Sequence, residues 1–435
     1  MADSASHKRP GGLKHWEVAR PRRGSSYPKR GEIRMSIDFD APLFQTMFRR
    51  RTRRFPKGGR LASSRGGLKY SSKERPVPLS DLETALLCFA AAGITGVTVE
   101  EIRHLLGHLT VIGRTAASPC ASLTVHLFFS NDEGVFYYKT DKTDEIVPKR
   151  RARIETLEDR KRILEDYEKN TSRLKEGRID IPREAIGSAF ESMVNLPGTT
   201  LFIPIADTTR EYINLLFTGL AQFRWQFWDE VRNQPAGVGE WIENGFLNGS
   251  RMTIAQYEAM LPWLCNLEAG MAMQNLSLAA TAMGLGSFMM HTIDLPTVMR
   301  SLNMRFEQTK GEPSPQATVN PVGIDGILEG YCPPYWTVEK AVESIAEMKW
   351  GAEGIYGKRG LNLPRPKMYD SIVEITESYC RYVYETYGRL PKYHDAMFIP
   401  VLAQIHHIDN GFYERFFPEY LDVADKEHMS LWHSE

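Results

Sequence analysis

The stretch EAGMAMQNLSLAATAMGLGS (Glu268–Ser287) decides the fold of this chain. It is almost as apolar as a membrane span, but it is built mainly from Ala, Gly, Ser and Met and carries Glu268, Gln274 and Asn275. An acid and two amides in such a run indicate a buried helix of a folded protein rather than a span. Its small residues lie on several faces. They predict the close approach of a neighbouring helix, a partner subunit or a planar cofactor. The Gly-Leu-Gly exit leads into SFMMHTID, which predicts a buried strand.

The bulk composition is that of an ordinary globular chain. Of 435 residues, 42% are hydrophobic and 25% are charged, and the formal net charge is zero. The chain as a whole therefore gives no reason to expect a nucleic-acid or membrane partner, although its first 60 or so residues are rich in Lys and Arg. The five cysteines are scattered without CxxC spacing, and no apolar secretory signal stands at the N-terminus. Both features indicate a reducing, cytoplasmic setting without a disulfide or zinc framework.

Several shorter patterns predict individual elements. Ser80 and Glu83 form a capping box ahead of an apolar helix, and Thr98 with Glu101 repeats this pattern. The run SLTVHLFFSNDEGVFYYK predicts a β-hairpin. TTLFIPIAD predicts a strand, and Pro204 within it favours an edge or a strand end.

The basic run RRTRRF (Arg50–Phe55) is a candidate anion site. Arg50, Thr52 and Arg54 alternate, so in an extended segment they would point to one side. Forked guanidinium donors and a hydroxyl suit a phosphate. The alternative is a basic tail that contacts nucleic acid or is simply solvated.

A second candidate is the small-residue loop GRTAASPCASL, residues 113–123. Its backbone could approach a flat ligand closely, and Ser118 could hydrogen-bond it, although an ordinary loop would also account for the pattern. The histidines and acids near the C-terminus lack the spacing of a metal motif. We therefore expect no metal site and interpret those histidines as structural.

These pieces occur in an order that resembles the nitroreductase superfamily of FMN-dependent oxidoreductases. The hairpin region looks most like the branch that contains azoline-oxidising dehydrogenases. The resemblance covers about residues 45–140 and 195–310, and the stretch that begins at Glu268 is its most specific part. It implies an α+β fold with a mixed or antiparallel central sheet flanked by helices. It also implies an intertwined homodimer with FMN at the interface and the small-residue helix at its centre.

Composition and pattern along the chain, together with the resemblance, predict a division into regions. Residues 1–40 would be a disordered basic arm. Residues 41–360 would form the FMN domain, with a helical insertion at 141–186 and an aromatic lid at 222–262. Residues 361–435 would be a helical C-terminal extension.

The family's site residues can be carried over position by position. Arg50, Thr52 and Arg54 would hold the FMN phosphate and ribityl chain, and Ser118 with Pro119 would contact the ring. After Gly286, the backbone at His291 and Thr292 would reach flavin N5. The late pair Lys358–Arg359 would complete the phosphate site. No catalytic side chain is implied.

The expected activity is ping-pong reduction of a small, electron-poor organic substrate, with NAD(P)H as co-substrate. Four aromatic residues are candidates for the substrate pocket or, equally, for core or dimer packing: Trp225, Phe227, Trp228 and Trp241. One alternative is a flavin-dependent dehydrogenase that uses oxygen as acceptor. The other is a non-catalytic flavin-binding or nucleic-acid-binding protein that uses the basic arm.

Overall fold

The computed structural model describes residues 43–61, 68–99, 110–119, 122–139, 157–309, 319–350, 369–420 and residue 430. The predicted arm at 1–40 and the pair Lys358–Arg359 lie outside these ranges.

Helices form both short connectors and long packed elements. In chain order the α-helices are α1 (Leu43–Arg49), α2 (Asp81–Ala92), α3 (Leu157–Asn170), α4 (Thr208–Thr218), α5 (Gly239–Glu243), α6 (Ile254–Glu258), α7 (Met260–Ala282), α8 (Leu295–Ser301), α9 (Val338–Trp350), α10 (Tyr369–Tyr387) and α11 (Asn410–Phe416).

Strands occur throughout the same ranges. They are β1 (Arg60–Leu61), β2 (Tyr70–Ser71), β3 (Ile94–Val99), β4 (Thr110–Arg114), β5 (Val125–Ser130), β6 (Gly134–Tyr138), β7 (Thr171–Glu176), β8 (Thr199–Asp207), β9 (Gln226–Asp229), β10 (Gln234–Pro235), β11 (Arg251–Thr253), β12 (Gly286–Met290), β13 (Arg305–Gln308), β14 (Val319–Ile324), β15 (Leu328–Glu329), β16 (Met397–Phe398) and β17 (Leu402–His406).

The central sheet is antiparallel and has the order β12-β17-β8-β5-β6-β7, with β16 also paired to β8. Strand β8 is buried along its whole length, as expected for an apolar strand covered on both faces. The predicted hairpin is β5–β6. Helices α2 and α7 share a hydrophobic core with one face of the sheet. The α+β prediction is confirmed, and so is the antiparallel form of the sheet.

Strand β8 is internal, so the prediction of an edge strand from Pro204 is wrong. Pro204 lies opposite Leu127 of β5. On its other side β8 pairs with β17 only as far as Phe202 and resumes pairing, with β16, at Ala206. The missing N–H of Pro204 therefore falls in the gap between β17 and β16, where no ladder hydrogen bond is needed.

Helix α2 begins as predicted. The Ser80 hydroxyl accepts from the Glu83 N–H, and the Glu83 carboxylate accepts from the Ser80 N–H, which completes the capping box. The second predicted cap, Thr98, lies in strand β3, as the β-branched run ITGVTV favours. Glu101 and the helix predicted after Thr98 lie outside the described residues.

Helix α7 contains most of the small-residue stretch Glu268–Ser287. One side packs against α2 through Ala272, Met273, Leu276 and Ala280. On the sheet side, the Ser277 and Ser287 hydroxyls are 2.9 Å apart. A third side remains open in the single chain. Within the described residues, no helix combines the length and apolarity needed to cross a membrane.

The C-terminal region is not a helical extension. It contains helix α10, but it also supplies β17, which lies between β12 and β8 in the middle of the sheet. All five residues of β17 are buried, so the strand shows no polar alternation that could distinguish it from a buried helix. The segment predicted as a helical insertion, 141–186, is also mixed. Its described part contains α3, and then β7 pairs with β6.

The predicted lid, residues 222–262, folds as the small sheet β10-β9-β11 with α5 and α6. It shares one hydrophobic core with α4, α9 and α10. Its aromatic residues therefore pack against helices that belong partly to the C-terminal region.

Candidate functional site

The basic run follows α1 directly and has an inner and an outer side. Thr52 and Arg54 are exposed, whereas Arg53 is 4% exposed and Phe55 is buried. The alternation expected of an extended segment is present from Thr52 to Phe55, but it does not extend to Arg50 and Arg51. The Lys57 N–H donates to the His407 carbonyl at 3.0 Å, which ties the segment to the chain after β17.

The outer side is positively charged. Arg50 is half-buried, and Arg51 and Arg54 are exposed. The Arg51 guanidinium donates to the carbonyls of Phe48 and Arg50. Among the described residues, Arg50, Arg51 and Arg54 have no acidic partner. A cationic cluster of this kind, with the Thr52 hydroxyl beside it, fits a phosphate group.

Gly286 lies directly beside this segment. A Cβ atom at Gly286 would be 2.6 Å from His406 Nε2 and 2.9 Å from the Arg53 carbonyl oxygen, so only glycine fits there. Burial lowers the pKa of His406 to about 3, the charge of His407 acts in the same direction, and the Arg53 backbone opposes the shift. His406 is therefore a neutral packing residue near neutral pH. This agrees with the structural role predicted for the late histidines.

Ser118 lies elsewhere in the fold, in the loop that precedes β5. Its hydroxyl donates to Glu268 Oε2 at 2.5 Å and accepts from the Leu123 N–H at 2.9 Å. Glu268, 4% exposed, lies on α7 and also accepts from Val125 at the start of β5. Ser118 and Pro119 are half-buried, and the Pro119 carbonyl accepts from Ser122.

The structure separates the two predicted parts of the site within one chain. Glu268 holds the Ser118 loop, whereas Arg53 lies beside Gly286, past the end of α7 at Ala282. An α-helix rises about 1.5 Å per residue, so these two points of α7 are about 21 Å apart along its axis. The arginine run and Ser118 therefore do not converge in a single protomer.

His291 and Thr292 lie just beyond β12 and are both exposed. The Thr292 carbonyl accepts from the Gly187 N–H at 2.7 Å. The registers of the sheet place the end of β12 and the start of β5 at the same end of the sheet. Three strand spacings separate β12 from β5, or about 14 Å. His291 and Thr292 thus share a sheet end with Ser118, opposite Gly286.

The four aromatic candidates differ in accessibility. Phe227 is fully buried, with its ring 4.4 Å from that of Tyr379. Trp225 stacks on Phe223 at 5.1 Å, and Trp228 carries the Arg251 guanidinium 3.7 Å above its ring. Trp241 is partly buried against the same core. Phe227 is therefore a core residue, and the three tryptophans retain exposed surface.

Two residues beside the candidate site residues are not predicted from the sequence, one next to each part of the site. Arg53 is the buried arginine of the basic run, and alternation alone could not tell which side faces inward. Glu268 stands out in the sequence as an acid in an apolar run, but the sequence pattern gives it no role. A buried carboxylate requires hydrogen-bond donors, so its position alone was a signal. Among the described residues, no group of three or more His, Cys, Asp or Glu side chains could hold a metal ion.

Comparisons with known proteins bear on one part of the chain. A model described as the nitroreductase family matches residues 209–312. This range includes α7, Gly286, His291 and Thr292, but it excludes the arginine run and Ser118. The match supports the nitroreductase superfamily and implies flavin-dependent oxidoreductase chemistry in general.

Two further comparisons add little. A solved structure of a candidate nitroreductase from Ralstonia eutropha JMP134 is similar at 14% identity, over 64% of this chain and 80% of that chain, with a TM-score of 0.29. A likeness this weak carries no argument. The comparison with curated proteins found no match.

Proposed function

We propose that this protein is an FMN-dependent oxidoreductase of the nitroreductase type, which reduces a small electron-poor organic substrate with NAD(P)H. The observation that carries the proposal is the family match across α7 and the turn at Gly286. The arginines on the outer side of the basic run support it, because Arg50, Arg51 and Arg54 offer donors to a phosphate and have no acidic partner among the described residues.

The chain's own residues would divide the work of binding. Arg50, Thr52 and Arg54 would hold the phosphate. Ser118 and Pro119 would border the ring, together with the backbone at His291 and Thr292. Bound flavin would supply the hydride-transfer chemistry. Trp225, Trp228 and Trp241 keep exposed surface and stay candidates for substrate contact.

We propose further that the site is assembled between two copies of this chain. The separation of the arginine run from Ser118 supports this, since a second copy could bring one group to the other. The single chain also exposes large apolar side chains on α1 and α7: Leu43, Phe44, Met47, Phe48, Trp263 and Met271. The two helices contact each other, and large exposed apolar side chains grouped on neighbouring elements favour an interaction site.

The test is the visible absorption spectrum of the purified protein, followed by release of the cofactor on heating. We expect FMN to be released, and we expect NADH or NADPH to bleach the bound flavin. The double variant Arg50→Ala/Arg54→Ala should lose most of its FMN. Arg173→Ala removes one exposed arginine on β7 and serves as a matched control that should retain FMN.

Two results would redirect the proposal. A colourless protein that takes up no added FMN would contradict flavin chemistry. A flavin that resists bleaching by both nicotinamides, but is bleached by an oxidisable substrate and restored by oxygen, would favour the dehydrogenase alternative.

A further inference from the structure

The Glu268 carboxylate ties α7 to the loop that carries Ser118. Glu268 Oε1 accepts from the Val125 N–H at 2.9 Å. Glu268 Oε2 accepts from the Ser118 hydroxyl at 2.5 Å and from the Thr124 hydroxyl at 3.3 Å. All three partners act as donors, and the carboxylate acts only as acceptor.

These contacts limit what Ser118 can offer to a ligand. A serine hydroxyl has one hydrogen to donate and two lone pairs that accept. The hydrogen of Ser118 points to Glu268, and one lone pair accepts from the Leu123 N–H at 2.9 Å. One lone pair therefore remains on a half-exposed side chain. Ser118 can accept from a ligand, but it cannot donate to one without losing Glu268.

We propose that Glu268 is a positioning residue that orients the Ser118 hydroxyl inward, so that Ser118 recognises an N–H donor of the ligand. The inference rests on the proposed function, because it takes the ligand to be a flavin. The edge of an oxidised isoalloxazine ring has several acceptors but a single N–H donor, at N3. Ser118 would thus distinguish this position from the carbonyl groups on either side.

The substitution Glu268→Gln reverses the bond without changing the shape of the side chain. The Val125 backbone N–H cannot rotate away, so the glutamine oxygen must face it. The amide nitrogen then faces Ser118 and Thr124 and donates to their hydroxyls. The Ser118 hydrogen is turned outward, where it meets the ligand N–H. The Ser118 O–H and the ligand N–H would then both be donors without an acceptor. This costs more binding free energy than the simple loss of one hydrogen bond.

The test is the dissociation constant of FMN for four proteins, measured by quenching of flavin fluorescence. Relative to wild type, Ser118→Ala should bind FMN about 3- to 10-fold more weakly, because one neutral hydrogen bond is lost. Glu268→Gln should bind about 30- to 100-fold more weakly. The double variant should return to the level of Ser118→Ala, since no outward hydrogen remains.

Thr124→Val is the matched control. It removes another hydrogen bond to Glu268, but it does not turn Ser118, and Thr124 is buried. It should lower the thermal midpoint of the apoprotein and leave the affinity for FMN within about twofold. A purely structural role of Glu268 would instead make the double variant the weakest binder. That result, or a Glu268→Gln variant that binds no more weakly than Ser118→Ala, overturns the proposal.

Hydrogen exchange separates this proposal from the proposed function. If wild-type protein takes up no FMN, the flavin assignment fails, and so does the recognition of N3–H. The orientation of the loop is then decided on the apoprotein. The amides of Leu123 and Val125 should be protected in wild type and should exchange faster in Glu268→Ala. Equal protection in both proteins would overturn the positioning role as well.

Discussion

Helix α7 and the aromatic region at 222–262 show opposite outcomes of packing. Helix α7 is built from small residues and still has an open side, on which Trp263, Gly270 and Met271 are exposed. The aromatic region is rich in large rings, and its core is closed by the chain itself. A high content of aromatic residues therefore does not indicate an accessible pocket. A high content of small residues does not indicate that a helix is covered on all sides by its own chain. The open element is the one that a second molecule could cover.

The largest expected effect tests whether the aromatic region is a core. Phe227→Ala should lower the free energy of unfolding by about 3–5 kcal/mol, because it leaves a cavity between the rings of Tyr257 and Tyr379. Its neighbour Trp228 is the matched control. Trp228→Ala should cost only about 1 kcal/mol, mainly through its contact with Arg251. Urea unfolding measures both. Similar small losses would mean that the region is a loosely held lid.

The second effect is a pH dependence of stability. It arises from Glu258, a buried carboxyl group that joins the aromatic region to the C-terminal chain. Glu258 accepts the N–H groups of Lys392 and Tyr393, yet burial raises its pKa from 4.5 to about 7. Between these values the folded protein keeps a proton that the unfolded chain has lost. The free energy of unfolding should therefore fall as pH rises from about 4.5 to 7, by about 3 kcal/mol from Glu258 alone.

Urea unfolding across this pH range checks the sign. Glu258→Gln should remove most of the slope, and Glu243→Gln, an exposed control, should keep it. Burial also raises the pKa of Asp207, to about 6, so part of the slope should remain in Glu258→Gln. A wild-type protein that gains stability over this range would contradict the assignment.

The smallest effect on stability tests the open side of α7. A Cβ atom at Gly270 would meet nothing within 4 Å in the single chain. Gly270→Leu should therefore raise the helix propensity by about 1 kcal/mol in an isolated chain. If two copies of the chain pack together at this side, the leucine side chain would keep them apart. Sedimentation should then give half the mass of the wild-type protein, and the helical content should be unchanged. A dimer that persists with higher stability would place the interface elsewhere.

Much of the fold could be predicted because its strongest elements carry local patterns. A pattern within about 20 residues is enough to recognise the Ser80 capping box, the β5–β6 hairpin and the apolar run of α7. Strand β17 could not be recognised in this way, because burial on both faces removes the alternation that marks a strand. The prediction from Pro204 is wrong because only the pairing of β8 with β17 and β16 shows where the missing N–H of Pro204 lies.

The candidate site could be predicted less well. Ser118 was identified, but its partner Glu268 lies 150 positions away in sequence, and no local rule links the two. Alternation grouped Arg50, Thr52 and Arg54, but only the burial of Arg53 in the folded chain shows which side of the run faces inward. The aromatic residues were grouped by composition, although Phe227 and Trp228 point to different environments.

The position of β17 has a consequence for synthesis on the ribosome. This strand separates β12 from β8, so the sheet is incomplete until residues 402–406 have left the ribosome. At about 5–20 residues per second, the chain from Asp207 to Leu402 takes about 10–40 s to make. During that interval β8, and β12 once it has been made, have unpaired backbone groups where β17 will later pair with them, and such edges recruit other strands. The nascent chain therefore exposes unpaired strand edges of this sheet until β17 completes it.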